Sequence, residues 1–165
     1  MNLVVIYMIV IGYPGIGKSS LAEQDLKYID LESSCFRNKS DQSKPENWHV
    51  YYCQTAEYLS AQGYIVFVSS HKEVQNYFRD NCNEYTVCIY PSVLIADQWK
   101  AKLKERYENT GTNKDYRAWL NAENQYMVNI SGLMMCGIPH VEINDMNYNL
   151  AGLIDLAISA KSSYK

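Results

Sequence analysis

Apolar residues in this chain fall into five short runs separated by stretches of helical spacing. Residues 3–11 (LVVIYMIVI), 28–31 (YIDL), 64–68 (YIVFV), 85–90 (YTVCIY) and 140–143 (HVEI) have strand length, with β-branched or aromatic residues in each. The runs at 3–11 and 64–68 are continuously apolar, the pattern of parallel strands buried on both faces. Leu21 and Ala22 mark a short helix over 18–25. Trp48, Tyr51, Tyr52, Thr55, Leu59 and Gln62 recur at helical spacing over 45–63, with Ser43 and Glu46 at capping-box spacing. Ser70 and Glu73 make a second such box before a helix to 81. Two long helices follow. Over 93–109 Ile95, Trp99 and Leu103 share a face, and over 114–134 Tyr116, Leu120, Met127 and Ile130 are expected inward, with residues 110–113 as the break. A last helix carries Leu150, Leu153, Ile154, Ala157 and Ile158. Residues 35–44 (CFRNKSDQSK) have no periodicity and read as a mobile loop.

This alternation predicts an α/β fold with a five-stranded parallel sheet and right-handed crossovers. In such sheets ligands sit beyond the carboxyl ends of the strands. That rule brings residues 12–20, 30–34, 69–71, Pro91, Ser92 and Asn144 to one rim.

At 165 residues the chain has the length of one domain with a sizeable core. A net charge of −3 gives no overall pull toward nucleic acid or an anionic membrane. Nucleic acid is not expected as a partner, though the local basic face of Lys100, Lys102, Lys104 and Arg106 keeps it open. The cysteines at 35, 53, 82, 88 and 136 form no C-x-x-C pair, so reduced thiols and a cytoplasmic location are expected. The apolar start has neither a positive flank nor a small-residue cleavage site, and so reads as strand rather than signal peptide. Met8 onward would still supply that strand. No stretch reaches the ~18 apolar residues of a membrane span.

The first run ends in Gly12-Tyr13-Pro14-Gly15-Ile16-Gly17-Lys18-Ser19, which fits G-x-x-x-x-G-K-[ST] between a strand and a helix. Glycines let the backbone curl so that its amides point at phosphate oxygens, and the following helix, with Ser20 in its first turn, turns its positive end to the same anion. Lys18 is placed to reach the β- and γ-phosphates and the Ser19 hydroxyl to ligate Mg²⁺. The expectation is a three-layer P-loop NTPase fold that binds ATP and Mg²⁺.

The chain resembles small P-loop nucleoside and nucleotide monophosphate kinases of the guanylate and adenylate kinase type. The C-terminal half of the guanylate kinase family is echoed in IYPS (89–92), KLKER (102–106), YRAW (116–119) and VEIND (141–145). Small kinase-like proteins of phages and prophages are echoed in DLESS (30–34) and VFVSSHKEV (66–74). The resemblance implies a helical lid at about 104–117, from which Arg106 and Arg117 close over the transferring phosphoryl group. It also implies an acceptor-side region at about 33–62. The acceptor segment of guanylate kinases has no counterpart, so GMP is not assumed. Nor does the run at 64–68 end in a Walker B acid; it ends in serines.

Asp30 and Glu32 are the substitutes, on one face of their strand by alternation. A carboxylate there could hold Mg²⁺ with Ser19 or accept the proton of an attacking hydroxyl; equally, Asp30 could be a turn residue and Glu32 a solvated acid. Arg37 could hold an acceptor phosphate bidentately, and His71, if charged, would assist. The expected activity is transfer from ATP to a (deoxy)nucleoside monophosphate by a monomer or homodimer. The alternatives are a hydroxyl acceptor on another small molecule or on a modified base in DNA, and an ATP-binding switch without catalysis.

Overall fold

The computed structural model describes residues 8–38, 40–41, 43–81 and 85–162, with the backbone alone for Ser162. The expected strand start at Leu3 and Cys82 lie outside the described residues. In chain order the elements are β1 (Met8–Gly12), α1 (Lys18–Gln24), β2 (Tyr28–Asp30), α2 (Trp48–Ala61), β3 (Ile65–Ser69), α3 (Lys72–Asp80), β4 (Thr86–Pro91), α4 (Ala96–Thr110), α5 (Asn113–Met134), β5 (His140–Ile143) and α6 (Leu150–Ser162). Short 3-10 turns lie at Ser33–Phe36 and Val93–Ile95.

The sheet is wholly parallel, in the order β2-β3-β1-β4-β5. This is an α/β fold compatible with three layers. The sequence position of each strand explains its burial. β1 lies at the centre between β3 and β4, and every residue of β1 and β4 is buried. Each Ile, Val or Phe so placed contributes about 1.5–3 kcal/mol relative to exposure. α2 packs on β3 and β1 and against α3, while α5 packs on β4 and α4. Gly12 is in register with Ser69 of β3 and Ile89 of β4, so β1 and β3 end at one level and β4 runs two residues further, to Pro91.

Some expected details differ. α2 begins at Trp48, with Asn47 as an N-cap that makes no side-chain bond. The Ser43 hydroxyl donates instead to Asp41 Oδ1 at 2.6 Å, so that capping box does not form. α3 is capped at His71, and the Ser70 carbonyl accepts from Gln75 Nε2 at 2.8 Å in place of the second box. Tyr51 faces solvent.

The larger correction is the face of α5. Tyr116, Leu120 and Met127 are 40, 41 and 55% exposed, and the buried positions are Asp115, Ala122, Tyr126, Ile130 and Leu133. Apolar residues surround most of this helix, so periodicity alone does not select the inward stripe. The Tyr126 hydroxyl does, by donating to the Ser92 carbonyl at 2.8 Å at the end of β4. Tyr116 joins Tyr107 and Trp119 in an aromatic cluster toward the surface. The break between α4 and α5 is tight: Gly111 ends α4 at φ +65°, and the Thr112 hydroxyl caps α5 by accepting from the Asp115 amide.

Candidate functional site

The connection from β1 to α1 is tied down from behind and left open in front. A Cβ at Gly12 would stand 2.7 Å from Ile16 Cδ1 and 2.8 Å from Lys18 Cδ, so any other residue there would have to displace both side chains from their place over the strand end. Gly15 and Gly17 take φ +91° and +106°, which side chains other than glycine rarely adopt. Behind the loop, Trp99 Nε1 donates to the Pro14 carbonyl at 2.9 Å. The Tyr148 hydroxyl donates to the Ile16 carbonyl at 2.7 Å and lies 3.3 Å from that of Gly15. The Tyr13 amide donates to Ile89 of β4 at 3.0 Å. The carbonyls of Pro14, Gly15 and Ile16 therefore face Trp99 and Tyr148. The amides of Gly17, Lys18, Ser19 and Ser20 donate to no acceptor among the described residues, as the start of a helix requires.

Lys18 folds back across this loop, donating from Nζ to the Gly12 carbonyl at 2.9 Å. Burial lowers its pKa to about 8. Lys114 and Arg106 press in the same direction, and Asp30 and Glu32 oppose them. The Ser19 hydroxyl donates to Asp30 Oδ2 at 2.7 Å. Asp30 is the last residue of β2, an edge strand separated from β1 by β3, so this contact spans the strand tips. Glu32 pairs with Lys114 in the first turn of α5, linking the β2 end to the α4–α5 hairpin. The Tyr52 hydroxyl fixes the same tips from beneath, donating to the Leu31 carbonyl at 2.7 Å and accepting from the Ser69 amide at 2.8 Å.

The two candidate arginines part company. Arg106 lies near enough to Lys18 to depress it, and its Nη2 sits 2.7 Å from Asp115 Oδ1. Burial opposes ionisation of Asp115, but the Thr110 hydroxyl and Arg106 hold its carboxyl below the usual range. Arg117 is exposed on α5, and its charge acts on Lys44. Lys44 Nζ stands 3.4 Å from His71 Nε2 and 3.8 Å from the centroid of the Trp48 ring. His71 Nδ1 is 2.7 Å from Ser69 Oγ. Desolvation, with Lys44, Lys18 and Arg37 nearby, pushes His71 down to about 4, so it is neutral at pH 7 rather than charged. The half-buried Arg37 ends the 3-10 turn after Glu32 and contributes to the same positive field.

The structure thus gathers Lys18, Ser19, Asp30, Glu32 and Arg106 at the glycine loop, and Arg37, His71 and Arg117 beside it. Sequence reasoning missed Lys44 and Lys114, single lysines in polar stretches without a motif. It also read Trp99 as a core residue only and gave Tyr148 no part, because their contacts with the loop join positions 85 and 132 residues apart.

Among the described residues, no group of three or more His, Cys, Asp or Glu is arranged to hold a metal ion. Ser19 and Asp30 offer a hydroxyl and a carboxylate side by side, hard oxygen donors suited to Mg²⁺ when phosphate and water complete its shell. Among the described residues no helix is long and apolar enough to cross a membrane. No protein-family model matches the chain, and no curated protein matches it.

Proposed function

We propose that this protein is an ATP- and Mg²⁺-dependent phosphotransferase with a P-loop NTPase fold, acting in the cytoplasm on a (deoxy)nucleoside monophosphate. The observation that carries the reading is the Ser19–Asp30 hydrogen bond beside Lys18. A lysine, a hydroxyl and a carboxylate converge where a helix begins with unengaged amides. That combination suits a triphosphate with its metal.

In this reading the amides of residues 17–20 receive the phosphate oxygens. Lys18 would leave the Gly12 carbonyl for the β- and γ-phosphates, and Ser19 with Asp30 would hold the metal. Mg²⁺, when bound, neutralises charge on the transferring group. Arg106 and Arg117 belong to the α4–α5 hairpin, which serves as the helical lid. Arg106 exchanges Asp115 for the transferring phosphoryl group, whose catalysis needs positioning and positive charge rather than covalent chemistry. Because the Asp30 carboxylate already engages Ser19, metal placement is favoured over a role as base toward a hydroxyl acceptor.

The test is ADP formation from ATP and Mg²⁺, with product identification, across ribo- and deoxynucleoside monophosphates. One acceptor should raise turnover well above background hydrolysis, and Lys18→Ala should abolish it. Full ATP binding and turnover in Lys18→Ala would overturn the assignment. A silent panel with ATP bound would point to a hydroxyl acceptor or a non-catalytic switch.

A further inference from the structure

Lys114, in the first turn of α5, is held beside the glycine loop through the tip of β2. Asp30 ends that strand and accepts from the Ser19 hydroxyl at 2.7 Å, and Glu32, just beyond it, is ion-paired with Lys114. The neighbouring Asp115 holds Arg106 at 2.7 Å and accepts from the Thr110 hydroxyl at 2.5 Å, which fixes the end of α4 to the start of α5. Lys114 and Arg106 both act on the charge of Lys18, and Asp30 and Glu32 act on it in the opposite sense. The charge of Arg117, further along α5, acts instead on Lys44.

The two hairpin cations differ in how firmly they are held. Asp115 is largely buried and keeps a bond from Thr110, so Arg106 must give up a charge-assisted bond to a fixed carboxylate before it can move. The side chains of Lys114 and Glu32 are 58 and 37% exposed, and water and salt screen a pair of that kind, so it contributes little and exchanges readily. A lysine ammonium also carries three donors on a flexible stem and can follow an oxygen that comes within reach. A terminal phosphate, with more negative charge than one carboxylate, is a stronger anion for it than Glu32.

We propose that Lys114, exchanging Glu32 for the γ-phosphate, is the residue by which this site tells a nucleoside triphosphate from a diphosphate. The proposal rests on the phosphotransferase reading above and adds a residue to its donor half. The loop amides meet the phosphates that ATP and ADP share, whereas Lys114 meets the one that ADP lacks. Glu32 keeps the ammonium at the strand tip, beside Ser19 and Asp30, until the stronger anion arrives. Arg106, held by a buried acid, stays with Asp115 in the bound state and moves only as the phosphoryl group transfers.

The test is calorimetric titration of the full chain, in Mg²⁺ at constant ionic strength, with ADP and with the β,γ-imido analogue of ATP, which keeps the third phosphate and resists transfer. The analogue should bind at least about tenfold more tightly than ADP, a difference of about 1.4 kcal/mol. Lys114→Met keeps the stem and removes the charge; it should bring the analogue to within about threefold of ADP and leave ADP affinity as it was. Lys114→Arg should restore most of the preference. Lys104→Met, which removes an exposed cation from the same hairpin, should keep all of it. Equal affinity for the two nucleotides in the original chain would overturn the proposal. So would a preference that survives Lys114→Met, or one that Lys104→Met lowers as much. A Lys114→Met chain that loses ADP and analogue alike would also overturn it, because a residue that only supports the loop behaves so. An original chain that binds neither nucleotide overturns the donor reading, and this proposal with it.

Discussion

Replacing Tyr148 by Phe isolates one oxygen atom that holds the glycine loop. That hydroxyl donates to the Ile16 carbonyl at 2.7 Å and accepts from Lys102 Nζ at 3.0 Å. Phenylalanine keeps the ring against Trp99, whose centroid lies 5.8 Å away, so no cavity opens. A neutral hydrogen bond contributes about 1 kcal/mol net, and one to a charged group about 1.5–3 kcal/mol. Lys102 can turn to water, which discounts the second contribution. The expected loss is therefore about 2 kcal/mol. It is read from urea unfolding as a fall in midpoint at unchanged m-value, with Trp99 fluorescence as a probe close to the change. ATP affinity should fall about three- to tenfold, because the released Ile16 carbonyl lets the amides swing out of their shared direction. A loss below about 0.5 kcal/mol would refute the claim that Tyr148 holds the loop. So would a normal loss of stability with unaltered ATP binding, which would detach the anchor from function.

Asp30→Asn removes a charge-assisted bond to Ser19, and the Mg²⁺ concentration needed for half-maximal turnover should rise at least about tenfold; an unchanged requirement moves the metal elsewhere. Lys18 has a folded pKa of about 8 against the ordinary 10.5, so ATP affinity should be level below about pH 8 and fall above it as binding takes up a proton. In the same window the unfolded chain holds more protons than the folded one, so the ligand-free fold gains stability as pH rises from about 8 toward 10.5. Calorimetry near pH 9 in buffers of different ionisation heat should detect that uptake, and its absence would contradict a neutral Lys18. Arg106→Ala should lower kcat at least about tenfold with ATP affinity nearly intact. Loss of its bond to the largely buried Asp115, which keeps the hydrogen bond from the Thr110 hydroxyl, should cost about 1.5–3 kcal/mol on unfolding. An unchanged kcat removes this arginine from the mechanism.

The sequence by itself determined the strands, the all-parallel sheet and the glycine loop, because these depend on local signals. Continuous apolar runs require burial on both faces. Gly12 and Gly17, six residues before and one before the start of α1, sit where side chains would clash or strain. Asp30 was legible for the same reason, as an acid at the tip of a strand.

Tertiary structure decided what no local signal encodes. Lys44 came to lie against His71 and Trp48 only when the loop after β2 met the start of α3. Tyr148 and Trp99 became loop anchors only when α6's approach and α4 closed behind the loop. Arg106 and Arg117, symmetric about the turn in sequence, have different surroundings, because Asp115 pairs with Arg106 while the charge of Arg117 acts on Lys44. The inward stripe of α5 was settled by Tyr126 reaching Ser92 across 34 residues. Periodicity reports that a helix has an apolar side; where that side is broad, a single long-range hydrogen bond sets the rotation. Such a bond must be satisfied in the folded chain and leaves no pattern along it.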